Sequence, residues 1–386
     1  MEYLFWLAFA GVAYAYFGYP AVLLLWGRLA PKLVRADLSA EPSVSVVLPA
    51  YNEADKLQVR LANLAKTEYP AARIEFIVVS DGSTDETEEI ARNFQATDRR
   101  FRVIGLGVRG GKAAALNAGV SSAEGDIVIF TDAGISLETD AIRAIVAPFA
   151  DPEVGCVSGE DVIPGAGGEA LYGRYELFLR QQESRVSSIV GASGSFYAQR
   201  RSLVPEFVPG VAPDFHSVLH AITHGYRAIS EPCARGGMEA TESQTKEFQR
   251  KVRTVLRGMT AIGGYRSLLN PLRSGSFSLV LGSHKVARWL VPGWLLLMLI
   301  THALLLQRPF FQVLAAPHLG FYLLGIVGLT AKTPMARTLP ARIPAYFVNV
   351  NAAIAIAAWR FASGDRQELW DPTTRKGIPS APKPPA

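Results

Sequence analysis

The sequence VVSDGSTD, residues 78–85, decides how the first half of this chain folds, because a short apolar run ends there in an acidic loop. Residues 74–79 are apolar and mostly β-branched, which predicts a buried strand. Asp85 and the acids after it suit the first turn of a helix. Asp81 would then lie at the carboxyl end of a strand, where open α/β sheets bind ligands, and Gly82 would let a ligand approach the backbone. A plain strand-to-helix loop capped by Asp85 is the alternative.

Three further segments place small or charged residues at the end of an apolar run or the start of a helical pattern. They are PAYNE at 49–53, GGKAAALN at 110–117 and TDAG at 131–134. Because the carboxyl ends of parallel strands meet at one edge of a sheet, we expect these segments and Asp81 to form one site. The pattern predicts an α/β fold.

Together these motifs resemble the nucleotide-sugar-binding half of a family-2 glycosyltransferase of the GT-A fold, the family that contains cellulose, chitin and hyaluronan synthases. The resemblance covers residues 40–290. It implies a Rossmann-like domain, a Mg²⁺ or Mn²⁺ cofactor and an inverting transfer of a hexosyl or N-acetylhexosaminyl group from a nucleoside-diphosphate sugar, with UDP the expected nucleotide. A P-loop is excluded, since Leu106 and Ala113 stand where that motif needs Gly and Ser or Thr.

The resemblance also implies roles for the residues that bind the donor. Pro49, Tyr51 and Glu53 lie in the segment that closes over the nucleobase and ribose. Asp81 matches the carboxylate that contacts the uracil or the ribose, and Lys112 lies in the segment that faces the diphosphate. A lysine at a helix start would add its charge to backbone N–H donors for phosphate. A solvated surface lysine is the alternative for Lys112.

Asp132 matches the first acid of the DxD metal motif, and the resemblance assigns it the divalent cation. The second acid of that motif is replaced by Gly134. A departing diphosphate carries charge that a hard cation neutralises through oxygen ligands, often one or two carboxylates beside phosphate oxygens and water. One carboxylate from the Asp132 loop therefore suffices for Mg²⁺ or Mn²⁺.

The acceptor side begins with ASGSFY at 192–197 and continues through Pro213 and Asp214. Asp214 matches the family's catalytic aspartate, a base that takes the proton of the attacking hydroxyl and contributes a factor of about 10² to 10⁴. Its usual acidic neighbour is Pro213 here, and the alternative role for Asp214 is a helix N-cap. Acceptor contacts are expected from Glu160, Asp161, Gly194 and Ser195.

A glycine-rich hinge is predicted at 165–168, followed by a helix over residues 172–185. Glu176, Arg180 and Glu183 form its polar side. This side is either a solvated face or part of an acceptor groove, and the sequence leaves the two open.

Three histidines, His216, His220 and His224, follow Asp214 at four-residue spacing, which would place them along one stripe of a helix. Two or three such side chains can bind zinc, but no cysteine cluster supports a metal site here. A structural or interfacial role, an acceptor contact and a second metal site all stay open.

The chain has 386 residues, 49% of them hydrophobic, which is too apolar for a soluble enzyme of this size. Residues 3–27 contain no charge and are long enough to span a bilayer. Arg28, Lys32 and Arg35 follow at once. Since basic flanks stay in the cytoplasm, we expect a retained anchor in a bacterial-type inner or plasma membrane and a cytoplasmic catalytic domain.

Three C-terminal segments are further candidates for membrane spans, namely 289–306, 310–330 and the shorter 343–358, which contains Asn349 and Asn351. We therefore expect three or four spans and lean toward four. Four spans would place the C-terminus outside, although its basic tail favours the inside. Either 343–358 lies in the membrane interface, or the charge rule is overridden.

Residues 246–288 contain nine Lys or Arg and one acid, Glu247. An apolar stripe opposite the basic residues predicts a helix on an anionic membrane surface, or a basic solvated face over a packed helix. RKVRT at 250–254 resembles the (Q/R)xxRW motif of processive synthases, which implies that Arg250 and Arg253 hold the donor diphosphate. Thr254 replaces the Trp that stacks at the acceptor end, which leaves processive and single transfer open.

The resulting domains are an anchor at 1–35, a catalytic domain at 41–245 with donor half 41–150 and acceptor half 151–245, interfacial helices at 246–288, two or three membrane helices at 289–360, and a tail at 361–386. The tail carries WDPTTR at 370–375, which resembles membrane-bound members of the family, and a Pro-rich end that predicts partial disorder.

The expected activity is sugar transfer onto a growing cell-surface polysaccharide or glycan, with membrane lipids and an export or oligomeric partner nearby. Transfer of one sugar to a polyprenyl-phosphate lipid is the alternative among enzymes. An inactive membrane scaffold in polysaccharide export is the alternative of another class. The net charge of +5 does not indicate nucleic acid, because its excess lies beside the apolar segments and no nucleic-acid-binding motif accompanies it.

Overall fold

The computed structural model describes residues 1–163, 168–238, 244–330 and 338–365. The predicted hinge at 165–168, apart from Gly168, lies outside these ranges. The tail from residue 366 onward, with the motif at 370–375 and the Pro-rich end, lies outside them as well.

Eight strands form one mixed sheet: β1 (Val44–Ala50), β2 (Ile74–Asp81), β3 (Phe101–Leu106), β4 (Ile127–Thr131), β5 (Ser136–Leu137), β6 (Val154–Val162), β7 (Phe196–Arg200) and β8 (Arg227–Gly237). Their order across the sheet is β3-β2-β1-β4-β7-β6-β8-β5. β1 pairs in parallel with β2 and β4, and β2 pairs in parallel with β3. β7 runs antiparallel to both β4 and β6. The first four strands therefore present their carboxyl ends at one edge.

The α-helices of the described ranges are α1 (Glu2–Ala13), α2 (Tyr19–Leu29), α3 (Ala54–Ala65), α4 (Thr87–Thr97), α5 (Gly111–Ser121), α6 (Ala141–Val146), α7 (Gly168–Val186), α8 (Pro213–Thr223), α9 (Gln244–Gly264), α10 (Pro271–Ser274), α11 (Ser276–Leu281), α12 (Arg288–Leu305), α13 (Pro309–Thr330) and α14 (Leu339–Ala362). π-Helical turns at Tyr14–Gly18 and Gly282–Ala287 join α1 to α2 and α11 to α12. The helix predicted over 172–185 lies within α7.

Successive side chains of β1 point to opposite faces of the sheet, and apolar residues occupy both sets of positions. Val46 and Leu48 pack in one cluster with Leu57 of α3, and Val47 packs in another with Leu116 of α5. All seven residues of β1 are buried. A parallel strand covered on both faces reads as a continuous apolar run, and each buried Val or Leu contributes about 1.5–3 kcal/mol. Helices on both faces leave the carboxyl edge of the sheet open for a site.

By length and composition, four helices within the described part of the chain can cross a membrane. They are Glu2–Leu29, Ser276–Leu305, Pro309–Thr330 and Pro340–Ala362. The second begins well before the predicted 289–306, because the chain turns at Gly275, where φ is 51°, and continues as one helix. Residues 276–288 of the expected interfacial segment therefore belong to a candidate span.

The apolar stripe of α9 is covered by protein. Val252 and Leu256 pack against Ala353 and Ala357 of α14. On a bare membrane surface such a stripe would be buried in lipid. In this fold α14 takes that place, while Lys246 and Gln249 on another face of α9 are exposed.

Candidate active site

Asp81, at the end of β2, holds the loop that precedes α5. Its two carboxylate oxygens accept the N–H groups of Gly110 and Gly111, each at 2.8 Å, and the residue is 1% exposed. Gly82 has φ of 64°, and a Cβ there would lie 2.6 Å from the nitrogen of Arg109. Only glycine fits this close approach. The structure thus shows Asp81 shaping the turn before Lys112, and its contact with a nucleotide stays a prediction.

Lys112 closes the donor edge together with Asp132. Its Nζ lies 2.7 Å from Oδ1 of Asp132 and 3.3 Å from the carbonyl oxygen of Gly194. The two side chains are only 16% and 28% exposed, so Lys112 is not a solvated surface lysine. The cleft around them has a volume of about 10 Å³, room for one water at most. The ion pair between Lys112 and Asp132 therefore closes this cleft.

Arg60 was not predicted as a site residue. Its buried guanidinium forms hydrogen bonds with the loop that carries Asp132. It is fully buried; Nη2 donates to Oγ1 of Thr131 at 2.7 Å, Nε donates to the carbonyl oxygen of Asp132 at 3.2 Å, and Nη1 donates to Asn63. Burial lowers the pKa of Arg60 to about 9, while Asp132 favours its charged form. The signal in the sequence is a charged residue on the apolar face of α3.

Hydrogen bonds tie the loop after β1 to the loop after β2. Oδ1 of Asn52 accepts the N–H of Thr84 at 2.9 Å, and the N–H of Glu53 donates to Oγ1 of Thr87 at 2.9 Å. Asp85 accepts the N–H of Thr87 at 3.1 Å, as a cap of α4 would. The two segments predicted to contact the donor are therefore one connected wall.

Tyr51 forms the outer part of this wall with Arg109. The guanidinium of Arg109 lies 4.0 Å from the centroid of the Tyr51 ring, a stacked arrangement. Pro49 is buried in β1 opposite Val79. Of the residues predicted to lie over the nucleobase, Tyr51 is the one that offers a flat face, and Pro49 belongs to the core of the sheet.

Asp214 lies in the first turn of α8. The helix begins at Pro213 with Ala212 as its N-cap residue, so the alternative that Asp214 is the N-cap is wrong. A Cβ on Gly194 would lie 4.0 Å from Cγ of Asp214, which brings Asp214 beside the Lys112 cleft. Burial raises the pKa of Asp214, and the charge of Lys112 opposes that rise.

Two cavities meet at Asp214. One is the cleft at Lys112 and Asp132. The other, of about 340 Å³, lies among α7, α8, α9, α12 and α14 and is called the groove here. Of the described residues that line either cavity, Asp214 is common to both. A larger open hollow of about 810 Å³ lies at the amino ends of β1 and β4, far from this edge.

Comparison with known proteins identifies the domain. The model of the family described as glycosyl transferase family 2 matches residues 45–206. This region is a family 2 glycosyltransferase domain. The expected family is thereby confirmed for residues 45–206, and the resemblance over residues 207–290 stays a prediction. The mixed sheet has a GT-A-like fold.

Curated relatives of the family 2 domain include glycosyltransferase AglE of Haloferax volcanii, 31% identical over 144 residues, which are 37% of this chain and 47% of the relative. Poly-β-1,6-N-acetyl-D-glucosamine synthase of Staphylococcus epidermidis is 34% identical over 183 residues, 45% of this chain and 43% of the relative. The match thus spans less than half the length of these two proteins.

Among solved structures, mannosyltransferase PcManGT from Pyrobaculum calidifontis, in complex with GDP-Man and Mn²⁺, superposes with a TM-score of 0.73 at 24% sequence identity. The match covers 94% of this chain and 100% of that chain. At this identity the likeness concerns the fold. It extends beyond the family 2 domain to the helices that flank it.

The donor edge of the family 2 domain suits one divalent cation. Asp132 supplies a carboxylate, and a Cβ on Gly134 would meet no atom within 4 Å, so there is open space where the motif has its second acid. Within the described ranges no group of three or more metal-ligating side chains occurs. A single carboxylate completed by donor phosphates and water is a common Mg²⁺ arrangement.

The expected acceptor residues divide between the groove and the interior of the family 2 domain. Oδ1 of Asp161 accepts the Ser193 hydroxyl at 2.6 Å, and Oγ of Ser193 accepts the N–H of Ser195 at 3.1 Å, so Asp161 braces this loop. Asp161 also lines the groove. Glu160 is 5% exposed and accepts a hydrogen bond from Gln181 at 2.8 Å, away from the groove lining.

The polar side of α7 faces protein. Glu176 and Arg180 line the groove. Glu183 is fully buried and accepts hydrogen bonds from the Tyr19 hydroxyl at 2.6 Å and the N–H of Val190 at 3.3 Å. Of the two alternatives left open by the sequence, the structure therefore excludes the solvated face.

Two basic residues of α9, Arg250 and Lys251, line the groove. Thr254 lines it as well, whereas Arg253 is not among the described residues that do so. Arg257 belongs to the same basic face of α9, and burial together with the charge of Arg253 lowers its pKa to about 10. Asp214 favours the charged form of Arg257. Donor binding by Arg250 and Arg253 stays a prediction.

His216 and His220 of α8 pack beside Tyr265, and His224 follows as the C-cap residue of the helix. Nδ1 of His220 lies 3.4 Å from the Tyr265 hydroxyl, and the His216 and Tyr265 rings are 5.6 Å apart. The rings of His220 and His224 are 4.2 Å apart. Burial and the neighbouring His220 lower the pKa of His216 to about 4. This packing favours the structural role.

Proposed function

We propose that this chain is a metal-dependent, inverting glycosyltransferase embedded in a membrane, which moves a sugar from a nucleoside-diphosphate sugar, first of all a UDP-sugar, onto a membrane-associated glycan acceptor. The observation that carries the proposal is the position of Asp214 between two cavities. The cleft at Lys112 and Asp132 suits the donor, and the groove suits the acceptor. Inversion in a single displacement needs acceptor and leaving group on opposite faces of the reacting carbon.

Asp214 is the general base of the proposed reaction. The acceptor oxygen bonds to the anomeric carbon as the bond from that carbon to the diphosphate oxygen breaks, and the hydroxyl proton passes to the Asp214 carboxylate. Burial raises the pKa of Asp214, which makes it a stronger base once ionised. Lys112 and Arg180 favour the ionised form.

On the donor side, Asp132 would hold Mg²⁺ or Mn²⁺, and Lys112, once separated from Asp132, would face the diphosphate. The bound cation supplies charge neutralisation for the departing diphosphate. Asp81 acts indirectly, because it holds the Gly110-Gly111 turn that positions Lys112. Tyr51 offers the nucleobase a flat surface.

We also propose a cytoplasmic catalytic domain with α14 along the membrane surface. Ala353 and Ala357 of α14 pack on α9, and the Tyr346 ring lies 5.3 Å from that of Tyr172 on α7. Helix α7 of the acceptor half and the neighbouring α9 therefore cover one side of α14 over several turns. Three spans and one surface helix would leave the C-terminus in the cytoplasm, in agreement with its basic residues.

The test of activity is nucleoside-diphosphate release by the full chain in lipid nanodiscs, with a panel of UDP- and GDP-sugars and with Mg²⁺ or Mn²⁺. We expect metal-dependent turnover of one donor, and a loss of about 10²- to 10⁴-fold in the Asp214→Asn variant. Nucleotide affinity should not change in that variant. Asp37→Asn, at an exposed turn, is the matched control and should keep full activity.

The size of the product separates a polymer from a single transferred sugar. Nucleotide binding without turnover of any donor, even with membrane extracts as acceptor, would contradict the proposal. The chain would then be the inactive scaffold that the missing second acid at Gly134 also allows.

A further inference from the structure

A cluster of cations lines the groove on the side of Asp214 away from Lys112. Its members are Arg180, Arg250, Lys251, Lys285 and Arg288, and the acids of the lining are Asp161, Glu176 and Asp214. The described lining thus has five cations and three acids. A substrate bound there enters a positive environment, which attracts anions.

Arg288 carries the clearest sign of a ligand. It is only 6% exposed. Its Nη1 donates to a carboxylate oxygen of Glu176 and to the Tyr172 hydroxyl, the latter at 3.2 Å. Its Nε and Nη2 are buried and have no hydrogen-bond partner among the described residues. Buried unpaired donors on a charged group are costly, so their presence at a cavity wall indicates that an acceptor binds there.

Arg180 and Lys285 add charge without a carboxylate partner in the part of the chain that the structure describes. Arg180 donates to Oγ of Ser158 at 3.5 Å and to the carbonyl oxygen of Ala192 at 3.3 Å, both neutral groups. Nζ of Lys285 lies 5.7 Å from the centroid of the Phe215 ring. Both side chains can therefore turn to an incoming anion without breaking an ion pair.

A buried network fixes the helix that carries two of these cations. Nδ1 of His284 lies 2.5 Å from Oε1 of Glu183, and Nε2 of His284 lies 3.1 Å from Oε2 of Glu176. His284 and Lys285 belong to the π-helical turn Gly282–Ala287, a geometry frequent at functional sites. The position of Lys285 and Arg288 is thus set by interactions that do not involve the donor edge.

The opposite wall of the groove is apolar and belongs to candidate membrane helices. Trp289 follows Arg288 directly, and Val350 and Ile354 of α14 face the same cavity. The lining therefore combines cations near Asp214 with apolar side chains from helices that are long and apolar enough to cross a membrane. A lipid phosphate joined to an acyl or prenyl chain has the same combination of an anionic and an apolar part.

We propose that Arg180, Lys285 and Arg288 bind the phosphate of a lipid-linked acceptor, whose chain leaves the groove along Trp289 and α14. This rests on the proposed function and names its acceptor class. The donor contacts expected at Lys112 and Asp132 lie in the other cavity, and of the groove cations only Arg250 is predicted to hold the donor diphosphate. The donor therefore leaves Arg180, Lys285 and Arg288 unexplained. A neutral glycan acceptor does not account for them either.

The test is equilibrium binding of farnesyl phosphate to the full chain in phosphatidylcholine nanodiscs, with farnesol as the uncharged analogue. We expect farnesyl phosphate to bind at least about tenfold more tightly than farnesol, and Lys285→Met to remove about tenfold of that affinity. Arg180→Gln should act in the same direction. Lys66→Met and Arg273→Gln, at exposed positions, are the matched controls and should bind as the wild type does.

Competition identifies the source of the bound phosphate. Millimolar inorganic phosphate should weaken farnesyl phosphate binding, whereas UDP or GDP should not. Equal binding of farnesol and farnesyl phosphate, displacement by nucleotide, or no difference between Lys285→Met and Lys66→Met would each overturn the proposal. Nucleotide binding without farnesyl phosphate binding would leave the glycosyltransferase proposal intact and reject only this one.

Discussion

The cleft at Lys112 and the groove meet at one carboxylate, but the chain builds them in different ways. The cleft comes mainly from the loops after successive parallel strands of the donor half, whose carboxyl ends meet at one edge. The groove comes from α7, α8, α9, α12 and α14, with lining residues from Asp161 to Ile354. A site at the edge of a parallel sheet follows from local motifs, and a site between helices depends on long-range packing.

Their electrostatics also differ. In the cleft, Lys112 and Asp132 neutralise each other at 2.7 Å. In the groove, Arg288 keeps two buried donors unpaired among the described residues, and cations outnumber acids. A closed ion pair suits a donor that arrives with its own cation, whereas unpaired donors suit an anionic acceptor that arrives alone.

The largest expected effect is on stability. Removal of the buried carboxylate of Glu183 beside the groove should lower the free energy of unfolding far more than removal of an exposed carboxylate in the donor half. Glu183→Ala removes the acceptor for the Tyr19 hydroxyl, His284 Nδ1 and the N–H of Val190. We expect a loss of about 3–5 kcal/mol in the free energy of unfolding, because a buried charged network loses one partner. Thermal or denaturant unfolding in detergent measures it.

Glu68→Ala, at an exposed position in the donor half, is the control and should change stability by less than about 0.5 kcal/mol. Equal small effects of the two variants would mean that the network around Glu183 contributes little to the groove.

Lys112→Met should affect the cleft alone. Loss of a charge-assisted contact to the diphosphate is expected to weaken donor binding or kcat/KM by about 10- to 100-fold. Farnesyl phosphate affinity should stay at the wild-type value, because Lys112 does not line the groove. Titration with nucleotide and with farnesyl phosphate measures the two affinities separately. An equal loss of both in the Lys112→Met variant would show that the two ligands bind at one site.

Asp214 lines both cavities, and its ionised carboxylate is expected to be needed for activity while it lowers the stability of the folded chain. Its pKa is raised in the folded chain by burial, so its ionisation on going from acid to neutral pH costs folding free energy. This loss of folding free energy begins as the pH rises above the usual carboxyl pKa and is complete once the pH exceeds the raised pKa of Asp214. Asp214→Asn should therefore melt at a higher temperature than wild type at pH 7 but not at pH 3. A lower melting temperature at pH 7 would contradict this account.

The smallest expected effect concerns the second acid of the metal motif. A side chain on Gly134 meets no neighbour within 4 Å, so Gly134→Asp should be tolerated and add a ligand near Asp132. We expect the Mn²⁺ concentration for half-maximal activity to fall a few-fold. Gly134→Ala tests whether a change comes from the carboxylate or merely from a stiffer loop; a matching shift in both variants would exclude a ligand role.

The sequence predicted the donor half well. The α/β fold, the family and the convergence of Asp81, Lys112 and Asp132 at one edge all followed from motifs directly after strands. Arg60 was missed because the sequence pattern of α3 does not show whether a single arginine on its apolar face is buried and bound to other residues. Its partners, Thr131 and the carbonyl oxygen of Asp132, lie about 70 positions away and become visible only in the fold.

The acceptor half was predicted less completely. Two alternatives were open for Glu176, Arg180 and Glu183 from the sequence, and only packing against the helix that carries His284 decided between them. The stripe of α9 had the composition of a membrane-surface helix, yet α14 covers it. Composition states that a face is apolar; it does not state whether lipid or protein covers that face.

The sequence by itself determined the strand that ends at Asp81, which segments are long and apolar enough to cross a membrane, and which carboxylates lie at the sheet edge. These follow from hydrophobic periodicity and turn chemistry, which act over a few residues. Only the tertiary structure decided that Asp214 joins two cavities and that Arg288, at one of them, has two donors without a partner among the described residues. Burial and unpaired hydrogen-bond donors are properties of what surrounds a side chain, and residues more than 100 positions apart supply those surroundings.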